Sequence, residues 1–305
     1  MSAQDQLRRM AKLGIPNFET IKKVRRLQAD MLARLERSSV DPDRYAGLDD
    51  CRADYCGRVN CLEACPFGAL RRRLRQVPAA FRLLEDARPP FHEVRIIRGV
   101  WSRPFGKLKE SSMAAAKQLN RRALDSLYNH KLIAVGTFKA SPAPPYEGDR
   151  WICEIHQIVA GASKEELDRA FSTVHDRGDL RSIMKEGDVP NVLMVKEVKA
   201  LGPAISKVLR RDLQGWEQPF RTEILPSRPR KAQRREFYRW LLGLTPDARM
   251  IRYGCDRYLN KLEKQPRVLQ PKVPKKRPYP YWLQRYQFGT YERDQMDKGG
   301  RTKNI

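Results

Sequence analysis

Between residues 91 and 213 the sequence alternates two kinds of segment in an order that few folds accept. Phe91–Arg98 (FHEVRIIR), Leu132–Lys139 (LIAVGTFK), Trp151–Ala160 (WICEIHQIVA) and Asn191–Val198 (NVLMVKEV) are rich in β-branched and aromatic residues, the composition of strands. Ser111–Asn129, rich in Ala and Leu, reads as a helix, and Ser163-x-x-Glu166 opens another through a capping box. Leu201–Leu213 is a third helical segment, and the run SPAPPYEGD marks a turn between the second and third strands. The order is β-α-β-β-α-β, then α. It predicts an α+β fold of the split-βαβ, ferredoxin-like type, an antiparallel sheet with helices on one face.

This core, residues 88–215, has appendages on both sides. Residues 1–45 carry apolar residues at helical steps (Ile21, Val24, Leu27, Met31, Leu35), and Pro16 divides the segment into two helices. Residues 46–80 hold a cysteine quartet. Residues 216–265 form a C-terminal extension in which Arg235–Gly243 (REFYRWLLG) is a short aromatic helix. Residues 266–305 read as a basic tail, with PKVPKKRPYPYW too rich in Pro and Lys for regular structure.

Cys51, Cys56, Cys61 and Cys65, spaced C-x4-C-x4-C-x3-C, give the ligand count of a closed structural zinc site. An iron–sulfur cluster is the alternative, because CLEACPFGAL resembles the end of a ferredoxin motif in which a cysteine precedes proline. No stretch approaches the length of a membrane span, and the N-terminus lacks the apolar core of a secretion signal. The chain is therefore expected in the cytoplasm, without a membrane partner, where thiols stay reduced and favour a metal over disulfides.

The formal net charge is +25, with 61 Lys and Arg against 36 Asp and Glu. Such a chain is expected to bind a polyanion, nucleic acid first and DNA before RNA. Candidate phosphate contacts are Arg71, Arg72, Arg73 and Arg75 beside the cysteines, and Lys207, Arg210 and Arg211 in the third core helix. Arg230, Lys231, Arg234 and Arg235 follow, and Lys275, Lys276 and Arg277 lie in the tail.

In WICEIHQIVA, alternation places Ile152, Glu154, His156 and Ile158 on one face. A carboxylate and an imidazole two positions apart can share a divalent metal, or form a buried pair. Together with the order of elements, the cysteine knuckle and Arg252–Arg257 (RYGCDR), this strand resembles the HUH-type replication initiators and relaxases of plasmids and phages. In that family a His-hydrophobic-His strand binds a metal, and a tyrosine on a later helix attacks a DNA phosphate. The resemblance implies a DNA nicking and joining activity in replication of a mobile element. It implies Mg or Mn at Glu154 and His156, joined by His92 or Glu93, to polarise a phosphate. Two departures stand out. Glu154 replaces the first histidine, and LGPAISKVLRRDL contains no tyrosine. Ser206, beside Lys207, occupies about that place, and Tyr238 and Tyr253 are the other candidate nucleophiles. The alternatives are a non-catalytic DNA- or RNA-binding zinc protein and an iron–sulfur protein.

Overall fold

A computed structural model of the chain describes residues 2–264 except 13, 16–18, 57–61, 88, 128–130, 144–149, 176–190 and 211–228. Two helices, α1 (Ala3–Lys12) and α2 (Ile21–Glu36), open the chain, and Thr20 caps α2 by accepting the Lys23 N–H at 3.2 Å. The long α3 (Pro66–Ala87) follows the cysteines. Then come β1 (Phe91–Ile97), the two-residue β2 (Arg103–Pro104), α4 (Met113–Asp125), β3 (Ile133–Pro142) and β4 (Arg150–Ala160). The chain continues through α5 (Lys164–His175), β5 (Val192–Glu197), α6 (Leu201–Val208), α7 (Lys231–Leu242), β6 (Met250–Tyr253) and α8 (Asp256–Lys264). The capping box before α5 forms in both directions: Ser163 N–H donates to Glu166 at 2.7 Å, and Glu166 N–H to Ser163 Oγ at 3.2 Å.

The fold is α+β around one antiparallel sheet, ordered β5-β1-β4-β3-β6 with β2 pairing to β4. β4 lies between β1 and β3, and every residue from Trp151 to Ala160 is buried. A strand so covered carries near-continuous apolar residues, and its polar ones must be partnered inside. Gln157 is satisfied by a two-way bond with Asn120 of α4: Asn120 Nδ2 donates at 3.1 Å, and Gln157 Nε2 donates back at 2.7 Å. This fixes α4 on the Gln157 face. α6 packs on β3 and β4, with Lys207 reaching Glu93 on the His156 face, and α3 lies against α6. The sheet is therefore covered on both faces, not one.

One hydrophobic cluster runs from Ala3 to Leu259. The segments 1–45, 46–80, 88–215 and 216–265 thus share a core. An aromatic group closes one end of the sheet, where Trp151 meets Phe105 edge-on and stacks on Phe237, and Phe138 meets Trp240. The sequence did not announce β2, β6 or α8. Arg252 and Tyr253 of the RYGCDR run end up on an edge strand, hydrogen-bonded to β3, and Gly254 follows it in the left-handed region at φ 67°. α7 begins four residues earlier than the REFYRWLLG pattern suggests.

Candidate functional site

Register decides which side chains meet. Across the sheet, Glu93 aligns with Ile158, Arg95 with His156 and Ile97 with Glu154; from the other side Thr137 aligns with His156 and Lys139 with Glu154. Directly paired residues share a face. Glu93, Arg95, Thr137, Lys139, Glu154 and His156 therefore lie on one face, and His92 lies on the other. Of the two β1 residues expected near His156, the register selects Glu93.

Diagonal contacts then join these groups. His156 Nε2 lies 2.7 Å from Glu93 Oε1, and its Nδ1 lies 2.8 Å from Lys139 Nζ. Lys139 also donates to the Lys207 carbonyl at 3.0 Å, and Lys207 Nζ stands 3.4 Å from Glu93 Oε1. Arg95 clasps Glu154 through Nε at 3.1 Å and Nη2 at 2.7 Å. The Thr137 hydroxyl is buried in the same row with no partner within hydrogen-bond reach.

The charges follow from this packing. Burial, then the neighbouring Lys139 ammonium, lowers His156 to about 4. At neutral pH the ring is uncharged. Both contacts are hydrogen bonds when Nε2–H donates to Glu93 and Nδ1 accepts from Lys139. Burial raises the Glu93 carboxyl, but the His156 bond and the Lys207 charge outweigh it and bring it to about 2. Burial likewise opposes ionisation of Glu154, and Arg95 leads the effects that hold its carboxyl below the ordinary value. Burial draws Lys139 down to about 8, which leaves it mostly protonated at neutral pH. The expected Mg or Mn does not fit Glu154 and His156 in this arrangement. The one lone pair of the neutral ring points at an ammonium, and Glu154 is held by a guanidinium.

The candidate nucleophiles stand elsewhere. Ser206 is fully buried and takes a bond from Arg73 Nη2 at 3.3 Å, so no phosphate reaches it as the fold stands. Tyr238 is buried on α7 against Phe237 and lines a cavity of about 160 Å³ between α2, α3 and α7. Tyr253 points to the face opposite His156, donates to Asp125 at 2.8 Å, and is pushed up to about 12 by burial and that bond.

In the cysteine segment, Cys51 and Cys56 bring their sulfurs to 3.8 Å. Cys65 precedes α3, and its sulfur accepts the Gly68 N–H at 3.1 Å, while Pro66 takes the first helical position. The Cys-Pro pair is thus a helix start. Cys61 lies outside the described residues. Among the described residues no three His, Cys, Asp or Glu side chains converge as metal ligands.

The arginines divide. Arg72 and Arg73 are buried in ion pairs, Arg72 with Glu63 at 3.2 Å and Arg73 with Glu19 at 2.7 Å. That corrects their assignment to phosphate. Arg71 bonds the carbonyls of Arg52 and Tyr55 and so braces the cysteine loop. Arg75, Lys207, Arg230 and Lys231 are exposed. Arg210, Arg234 and Arg235 are partly so, with Arg210 3.6 Å from Glu19 and Arg234 3.4 Å from Asp30. Arg211, Lys275, Lys276 and Arg277 lie outside the described residues. Arg95 and Lys139 were missed in the sequence. The signal for Lys139 was a single charge in an otherwise uncharged strand, and that for Arg95 was a charge two positions from Glu93 on the same face of β1.

No protein-family model, no curated protein and no solved structure matches the chain. No helix among the described residues is long and apolar enough to cross a membrane.

Proposed function

We propose that the chain is a cytoplasmic, nucleic-acid-binding protein in the mould of the HUH-type replication initiators of plasmids and phages, with DNA as its partner. The observation that carries this reading is His156 on the central strand of an antiparallel sheet, with α6 packed over its face. The strand order β5-β1-β4-β3 supports the split-βαβ reading of the core. The net charge of +25 supports a polyanionic partner. The burial of Ser206, and the placement of Tyr238 and Tyr253 away from His156, favour binding without nicking.

A labelled single-stranded DNA tests both parts. The expected result is salt-sensitive binding with no adduct that survives denaturation. Absence of binding at low salt would sink the proposal, and a denaturation-stable adduct would establish a nicking enzyme instead.

The cysteine segment is the proposed zinc knuckle. Two sulfurs on one tetrahedral zinc, each at about 2.3 Å, lie roughly 3.8 Å apart, which is the Cys51–Cys56 spacing. The Cys65 sulfur, held at the start of α3 by the Gly68 N–H, is the proposed third ligand of that zinc. Elemental analysis should find one zinc per chain, lost on replacing Cys51 and Cys65 by serine. Stoichiometric iron would establish the iron–sulfur alternative.

A further inference from the structure

We propose that Lys139 is a built-in cation of the sheet face. Its ammonium holds the position among His156, Glu93 and Glu154 that a divalent ion would otherwise fill, so the wild-type face takes no metal and becomes a metal site when the ammonium is removed. The argument begins with the disagreement between the expected ligands and their contacts. A metal can bind His156 only through a ring lone pair. The neutral ring has one, at Nδ1, and Lys139 Nζ sits on it at 2.8 Å. The other nitrogen is directed at Glu93, 2.7 Å away.

The ammonium is itself fixed. It donates to the Lys207 carbonyl at 3.0 Å, so it is anchored to α6 as well as to the sheet. A divalent ion entering here would have to displace it and sit beside two further cations, Arg95 on Glu154 and Lys207 near Glu93. Three cations already face two carboxylates. Repulsion at these distances is severe away from bulk water. Without Lys139 the balance becomes two against two, and the His156 lone pair is released. An imidazole with carboxylate oxygens is a donor set that suits Mn²⁺, Co²⁺ or Zn²⁺. Glu154 is at present bonded to Arg95 and Glu93 to His156, so each must turn from that partner to reach the vacated place.

The replication-initiator reading only raised the question of metal here; the inference does not depend on DNA binding. The experiment is a Co²⁺ titration of the full-length protein without nucleic acid. It follows the ring signals of His156 by NMR, assigned through their loss in His156→Gln. Reading that ring separates this site from any Co²⁺ taken by the cysteines. In wild type the His156 signals should not move. In Lys139→Ala they should show paramagnetic shifts, with affinity at least roughly tenfold above any wild-type binding. Paramagnetic shifts of His156 in wild type overturn the proposal, and so does a folded Lys139→Ala that leaves His156 unmoved. Lys139→Ser replaces it if alanine unfolds the strand, and the wild-type titration is decisive by itself.

Discussion

A neutral histidine held between a carboxylate and an ammonium makes stability depend on pH. The folded His156 titrates at about 4, below its ordinary 6.5, because burial disfavours the imidazolium. Between these values the unfolded chain binds a proton that the folded one refuses. Stability therefore rises with pH from about 4 to 6.5 and is lost as pH falls through that window, by an amount on the order of a few kcal/mol. Glu93, lowered to about 2, acts at more acid pH: its contribution is present above its ordinary value near 4.5 and fades towards 2. Urea unfolding across pH checks this. His156→Gln should flatten the slope between 4 and 6.5 and also weaken the acid limb, because it removes the bond that lowers Glu93. An unchanged slope would mean that His156 is protonated in the folded state. Arg73 and Arg75 give a second contrast at this scale. Removing Arg73 leaves the buried Glu19 with only the more distant Arg210, 3.6 Å away, and should cost about 3–5 kcal/mol. Arg75→Ala should cost less than about 0.5 kcal/mol and weaken DNA binding instead. If Arg73→Ala is as stable as wild type, the ion pair with Glu19 does not hold α3 to the N-terminal segment.

At the scale of elements, β3 carries the tightest approach. A Cβ on Gly136 would stand 2.4 Å from both Gln157 Cβ and the His156 carbonyl. The strands cannot separate there without disturbing the Asn120–Gln157 pair on one face and Lys139–His156 on the other. Gly136→Ala should destabilise by about 1–3 kcal/mol, as overpacking does in a filled core, and should shift the His156 ring signals. A melting temperature equal to wild type would refute the close approach. What was legible in the sequence follows the same geometry. The four long strands showed themselves through β-branched and aromatic runs, and the α5 start through Ser163 and Glu166. Period-two alternation put Glu154 and His156 on one face. The pairing of Glu93 with His156, and of Arg95 with Glu154, was not legible, because register between strands 59 or more residues apart is set by packing and not by local pattern. β2 and β6, of two and four residues, are too short to show alternation. Arg72 and Arg73 looked like a phosphate-binding run because their partners, Glu63 and Glu19, have no sequence pattern that links them.

At the scale of the whole molecule, burial of charge removes little of the net positive charge. Arg72, Arg73, Arg95 and Arg249 are buried, but so are Glu63, Glu19 and Glu154, the acids they pair with. Matched burial removes cations and anions nearly alike, so most of the +25 excess stays outside the core. Residues 226–305 supply 21 Lys and Arg against 7 Asp and Glu. Among the described residues the hydrophobic cluster has its last member at Leu259. If six to ten phosphates are neutralised, affinity for DNA should fall by about 10³–10⁵ between 50 and 200 mM salt. The chain ending at Gln265 should bind all sequences more weakly. Its log–log salt dependence should be shallower by about 0.7 for each single-strand phosphate that the tail neutralises in the full chain. An equal slope in the two chains would place all phosphate neutralisation on the residues before 266. A flat slope in both would remove electrostatics as the source of binding.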